Sequence, residues 1–203
     1  VLLGLDIKET LPIFERISKE KEAPLYQTKG SIIQQLALPS YLLHNCKTAL
    51  EASSILYKSF PVSIEDNPKK YLTIRGRWQV VQNKPKIVLD VGHNEQGVHA
   101  IVNQLDNESY DHLHIMLGFS AEKETERILA LFPKDATFYI TKSTNERSAD
   151  PKIIATHIRG EKINCFLDFK EAFHTINKAV KKDDFVLICG SVFLVGDILQ
   201  EFF

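Results

Sequence analysis

The sequence predicts an α/β fold from about residue 68 onward, a mainly parallel sheet with helices on both faces. Three observations lead there. Short runs rich in Val, Ile and Phe alternate with segments of helical periodicity. Several of those runs are apolar at successive positions rather than at every second one, as strands buried on both faces are. The segments between them are long enough for crossover helices, which cover such a sheet on both sides. In sheets of this kind ligands gather beyond the carboxyl ends of the strands, so polar residues there are the ones to weigh.

The elements follow in order. A short strand VLLGL opens the chain, then come a helix over about 8–20, a weak strand PLYQ and a helix over about 41–59. Residues 61–70, with two prolines and several charges, read as a linker. This first part, residues 1–67, carries too few apolar anchors for a core of its own. It starts without Met inside a strand, and reads as the end of a larger domain. Residues 68–203 form the second domain. Its strands are expected at WQVV, at KIVLDV (86–91), HIMLGF (114–119), ATFYITK (136–142), INCFLDF (163–169) and DFVLICGS (184–191). Helices are expected over about 95–105, 121–132, 151–159, 170–181 and 192–202. The third of these is opened by Asp150 as N-cap and Pro151 as its first residue.

Composition narrows the function classes. With 203 residues, 44% of them hydrophobic, the chain can bury one large core or two small ones and should fold as a soluble globular protein. A net charge of -1 with mixed signs provides no basic field for phosphate backbones, so nucleic acid is not an expected partner. Cys46, Cys165 and Cys189 are odd in number and widely spaced, which points away from a disulfide framework or zinc knuckle and toward a reducing cytoplasmic setting. Apolar runs are strand-sized, so no membrane partner is expected either. His44, His99, His112, His114, His157 and His174 show no metal spacing and are expected exposed or singly hydrogen-bonded.

Chemistry concentrates where a buried strand ends. Asp90 interrupts the end of KIVLDV, and an ionised carboxylate in such a place needs partners or a ligand. His93 and Asn94 follow in the turn that opens the next helix. The competing reading is local: Asp and Asn also favour such turns because they cap them. Lys123 stands at a helix start after another strand, where a counter-charge such as phosphate or carboxylate would suit it, although a solvated lysine is the simpler account. Ser191 follows Gly190 at a strand end without the nucleophile-elbow pattern, and reads as packing or turn chemistry.

Longer stretches carry a family resemblance. GRWQVV, KPKIVLDVGHN and the helix EQGVHAIVNQL resemble the G-R and D-x-x-H-N signature that opens the C-terminal domain of folylpolyglutamate and dihydrofolate synthases, relatives of the Mur ligases. LALPSYLLHNCKTALEAS resembles the segment closing that family's central domain, and LICGSVFLVGDIL its terminal strand and helix. HIMLGFSAEKE resembles a strand followed by a K-D pair, with Glu124 where Asp is usual. Arg75, Gly92 and Glu95 also depart from the usual Pro, small residue and Pro.

The resemblance implies a Rossmann-like C-terminal domain preceded by a remnant of the central ATPase domain. It implies an ATP-dependent ligase that adds L-glutamate to folate or dihydropteroate through an acyl phosphate. Asn45, Arg77 and Asp90 would contact the nucleotide: an amide suits an adenine edge, a guanidinium fork phosphate oxygens, and a carboxylate ribose hydroxyls. His93 would be catalytic, with Asn94 and Lys123 on the substrate side. ATP and Mg2+ are the implied cofactors, with the P-loop and the Mg2+ ligands in an N-terminal half that this chain lacks. The piece by itself is therefore expected to be inactive, and the full enzyme monomeric. Two other classes fit the bare alternation of strands and helices: a Rossmann-type domain of another enzyme, although G-x-G-x-x-G is missing, and a non-catalytic nucleotide-sensing module.

Overall fold

Leu2–Leu3 (β1) and Tyr26–Gln27 (β2) pair in parallel on either side of the helix Leu11–Glu20 (α1), and a second helix, Ser40–Leu56 (α2), follows Pro39. The computed structural model describes residues 1–4, 8–28, 38–57, 74–121 and 125–203, so the expected linker over 61–70 and Lys123 lie outside the described residues. Two compact units result, Val1–Thr73 and Ile74–Phe203. In the first, Ile13, Phe14 and Ile17 of α1 stay exposed, and Cys46 is the one buried hydrophobic residue on α2. Among the described residues of this unit, few apolar side chains are buried.

The second unit begins with a hairpin, Gln79–Asn83 (β3) against Lys86–Asp90 (β4). Four further strands follow: Leu113–Leu117 (β5), Thr137–Ile140 (β6), Lys162–Cys165 (β7) and Phe185–Cys189 (β8). They build a six-stranded sheet in the order β3-β4-β8-β5-β6-β7, parallel everywhere except at the β3–β4 pair. Helices Glu95–Leu105 (α3), Glu126–Leu129 (α4), Pro151–Ala155 (α5), Phe169–Ala179 (α6) and Val192–Phe202 (α7) connect and close it. The chain steps outward from β4 to β5, β6 and β7, then returns to the middle as β8. Right-handed crossovers therefore put α6 on the face opposite to α3, α4 and α5.

Strand alternation sorts the core accordingly. Ile87, Leu89, Met116, Val186 and Ile188 pack with Phe173 and Ile176 of α6 and with Leu194 and Ile198 of α7. Their neighbours Val88, Ile115, Leu117 and Leu187, all buried, point to the other face. Each such buried side chain contributes about 2 kcal/mol. Among the described residues no helix is long and apolar enough to cross a membrane.

Several expected elements come out shorter, three of them for a clear local reason. The helix expected to reach 132 survives as α4, because its last bonds tighten to the i−3 carbonyl (Leu131 N–H to Ile128 O, Phe132 N–H to Leu129 O) and Pro133 follows. α5 stops at Ala155 with the same tightening through His157 and Ile158. The strand expected over 163–169 ends at Cys165, since Asp168 turns to cap α6 by accepting from Lys170 N at 2.8 Å.

Candidate functional site at the carboxyl ends of the strands

Asp90 closes β4 at 1% exposure, so its charge has to be met from within the protein. Backbone donors meet it: Oδ2 accepts from Trp78 N and Oδ1 from Gly92 N, both at 2.8 Å. The Trp78 bond fixes the turn before β3. There Gly76 has φ 72° and Trp78 itself φ 45°, a left-handed conformation that costs a side chain as large as Trp about 1–2 kcal/mol. Burial of the indole and the bond to a carboxylate offset that cost. Val91 N–H donates to Gly76 O at 2.8 Å, so the turn is tied to β4 twice. Arg77 is thereby presented on the exposed side of a rigid turn.

The next turn carries His93 and Asn94. Asn94 Oδ1 accepts from Gly97 N at 2.7 Å and caps α3, so this side chain starts the helix whatever else it does. His93 Nδ1 lies 2.9 Å from Val91 O. A carbonyl only accepts, so Nδ1 carries the hydrogen, and in the neutral ring Nε2 keeps its lone pair.

Beside His93 a cavity of about 130 Å³ opens between strand ends, lined by His93, Ser120, Gly190, Ser191, Val192 and Phe193. It lies where the chain out of β8 enters α7 on one face, while the chains out of β4 and β5 leave for the other face. That divergence is the topological switch point of an open sheet. Gly190 makes the close approach possible, with φ 98° and its N–H donating to Gly92 O at 3.0 Å. A Cβ there would stand 2.7 Å from Gly118 O, which only glycine avoids. Ser191 caps α7 through Phe193 N at 3.2 Å. The sequence reading of Ser191 as turn chemistry is correct as far as it goes, but it misses that the same residue lines the cavity.

Asn45 belongs to the first unit. It is an exposed residue on α2, lining a cavity of about 570 Å³ with Gly4, Tyr41, His44, Thr48, Ala49 and Ala52. Lys123 falls outside the described residues. Among the described residues no three His, Cys, Asp or Glu side chains gather as they would around a metal ion.

One sequence expectation is corrected at the opposite, amino end of the sheet. His114, expected exposed or singly bonded, is buried and engaged at both nitrogens: Nδ1 with Tyr139 Oη at 3.1 Å and Nε2 with Asp184 Oδ2 at 3.3 Å. Burial holds its imidazole below the ordinary range, with the Asp184 bond only partly opposing this. The neutral ring therefore donates from Nε2 to the carboxylate and accepts from the tyrosine. No local signal reveals this, because the partners come from other strands.

Comparison with known proteins places residues 76–192 in the family described as Mur ligase, glutamate ligase domain. A dihydrofolate synthase/folylpolyglutamate synthase of Buchnera aphidicola subsp. Schizaphis graminum is 25% identical over 179 residues, covering 84% of this chain and 42% of that protein. A UDP-N-acetylmuramoyl-L-alanyl-D-glutamate--2,6-diaminopimelate ligase of Helicobacter hepaticus is 27% identical over 179 residues, covering 81% of this chain and 37% of that one. Among solved structures, the bifunctional folylpolyglutamate synthase/dihydrofolate synthase of Yersinia pestis with AMPPNP and Mn ion superposes with TM-score 0.79 at 22% identity. That match covers 98% of this chain and 52% of the other, and likeness at this identity shows the shared fold. The chain thus spans about half or less of the length of these proteins.

Proposed function

Since the chain belongs to the Mur ligase glutamate ligase domain family, we propose that it is the C-terminal part of an ATP-dependent ligase joining L-glutamate to folate or dihydropteroate. The observation that carries this reading is the coupling at the end of β4: one buried carboxylate holds both the Arg77 turn and the backbone beside His93. A nucleotide side and an acceptor side are thereby built on a single anchor.

ATP with Mg2+ supplies the phosphoryl group that activates the folate carboxylate as an acyl phosphate, and the metal ligands are assigned to a phosphate-binding domain outside this chain. The residues present fit such a nucleotide. Arg77 offers a planar fork of donors on the exposed side of its turn. Asn45 offers an amide that both donates and accepts. Asp90 fits best as the organiser of the Arg77 turn, because both oxygens already accept backbone bonds; a ribose hydroxyl would share them.

On the acceptor side, His93 Nε2 is the group to take the proton released as the glutamate amine becomes an amide nitrogen. A well-placed base of this kind contributes about 10²–10⁴-fold. Asn94 shapes the same turn by capping α3, and Lys123, outside the described residues, is assigned to the substrate side by the family resemblance alone. The cavity beside His93 has room for a carboxylate or amino-acid head and is far smaller than a nucleotide. Closure of the complete enzyme brings the two sides together away from water. A monomeric enzyme working in the cytoplasm belongs to the same reading.

The test is ADP release by the complete protein with ATP, Mg2+ and dihydropteroate or a reduced folate, with and without L-glutamate. Glutamate-dependent release is expected, and none from the 203-residue chain alone. Release that ignores L-glutamate with every folate, yet responds to diaminopimelate and a UDP-muramoyl dipeptide, would move the protein to the branch of the Helicobacter relative.

A further inference from the structure

We propose that Asp197, which has no role in the reading above, is a positioning residue for the amino-acid side of the site. It holds the loop of residues 141–149 as the wall that sets how tightly the incoming amino acid binds. This rests on the ligase reading.

The loop leaves the carboxyl end of β6 and doubles back beside the end of β5. Thr141 N–H donates to Leu117 O at 2.9 Å, Ala149 N–H to Phe119 O at 2.8 Å and Ala121 N–H to Arg147 O at 2.9 Å. Ser120 and Ser148 form an antiparallel bridge. Ser120 is one of the residues lining the cavity next to His93, so the loop and the cavity share a wall.

Inside the loop the side chains of Ser143, Asn145 and Ser148 are spent on its own shape. Ser143 Oγ and Ser148 Oγ are 2.7 Å apart, and Asn145 Oδ1 accepts from Arg147 N at 3.0 Å. The tip is fastened from outside. Asp197 Oδ2 accepts from Thr144 N at 2.6 Å and Oδ1 from Thr144 Oγ1 at 2.9 Å. Both are bonds to a charged acceptor and stronger than neutral ones. Asp197 stands on α7, the helix that Ser191 caps at the cavity. One rigid helix therefore meets the cavity at its first turn and grips the loop from its second.

Sheet order decides which substrate this concerns. Arg77 lies beside β3 and β4, whereas the loop follows β6, three strand spacings beyond β4 in the order β4-β8-β5-β6. At about 4.8 Å per spacing that is roughly 14 Å. The nucleotide reaches the β3–β4 side, and the loop borders the opposite side of the cavity. Thr144 is exposed, so the fold itself has little need of so firm a clamp at this point.

The experiment is steady-state kinetics of the complete protein, comparing wild type with Asp197→Leu, Asp197→Asn and Thr144→Val, together with their melting temperatures. Asp197→Leu should raise KM for L-glutamate about tenfold while KM for ATP and kcat stay within about twofold. Asp197→Asn keeps an amide oxygen for one donor, and Thr144→Val keeps the backbone bond, so each should raise it about threefold. A purely structural role would lower the melting temperature and shift both KM values together or neither, and either result overturns the proposal. A wild-type enzyme without glutamate-dependent turnover overturns the ligase reading instead, which is a distinguishable failure.

Discussion

Both ends of the same sheet carry a histidine near a carboxylate, and the two are solved differently. At the amino end, His114 uses both ring nitrogens, on Tyr139 and Asp184, and Asp184 also accepts from Lys181 N at 2.7 Å. His112 adds a bond to Thr137 Oγ1 at 2.8 Å, with its ring edge-on to His114. That network is closed. At the carboxyl end, both oxygens of Asp90 accept from backbone N–H groups, and His93 has one ring nitrogen on a backbone carbonyl and the other available. A polar cluster whose side chains satisfy one another has nothing left to offer a ligand. A cluster anchored by the backbone keeps its side-chain valences for chemistry, so the contrast separates stability from function within one sheet.

The largest effect should come from removing the anchor at the carboxyl end. Asp90→Ala strands two buried donors, Trp78 N and Gly92 N, and should destabilise the second unit by about 4 kcal/mol, read from the urea midpoint. Asp90→Asn, which keeps one acceptor oxygen, should cost about half. A loss under about 1 kcal/mol for Asp90→Ala would mean that water replaces the carboxylate, and the two ends would not differ as described.

Next in size, the two histidines should part company. His93→Ala in the complete protein should lower glutamate-dependent turnover about a hundredfold with the melting temperature nearly unchanged. His114→Ala should leave turnover alone and cost about 2–3 kcal/mol, from a cavity and two unpaired partners. If both substitutions act on stability only, His93 is a turn residue and the contrast collapses.

The smaller effect is on pH dependence. His114 is held below its ordinary 6.5 by burial. For Asp184, burial pushes upward, but the Lys181 N–H and His114 bonds outweigh it and leave the carboxyl below its ordinary 3.8. In each case the unfolded chain binds the proton first, so stability is lost on acidification. The decline begins as pH falls through 6.5, where unfolded His114 charges. A further decline follows as pH falls below 3.8, until Asp184 titrates in the folded protein. Melting curves from pH 8 to 5 should show the first decline in wild type and a flatter one in His114→Phe. Equal slopes would place the acid sensitivity elsewhere.

Smallest of all, thiol labelling should separate the cysteines. Burial first, then the Asp90 charge, push the Cys189 thiol well above its ordinary value, and the side chain is inaccessible in β8. Exposed Cys165 should react with a maleimide in the native state and Cys189 only after unfolding, as tryptic mass spectrometry would show.

What could be read from sequence follows the range of the interactions involved. The strands of the second unit were legible because their apolar runs report local burial, and α3 and α7 run over the expected residues. Asp90 was legible as a carboxylate that needs partners because a charge in an apolar strand end is locally anomalous. Its partner Trp78 N was not, since nothing in the sequence announces a tryptophan at φ 45°. His114 was misjudged because Tyr139 and Asp184 lie 25 and 70 residues away. The Thr144–Asp197 clamp spans 53 residues and was invisible for the same reason. Helix ends such as that of α5 depend on competition between i−4 and i−3 bonds, which periodicity does not resolve.

The left-handed turn has an optical side. Trp78 is the chain's single tryptophan, 8% exposed, its ring centroid 6.2 Å from that of Phe185, and its amide hydrogen rests on Asp90. The indole's emission colour and intensity respond to local polarity and mobility, so this chain carries a built-in, label-free reporter seated on the turn that presents Arg77. Slackening of that turn would register as a red shift before the rest of the sheet gives way.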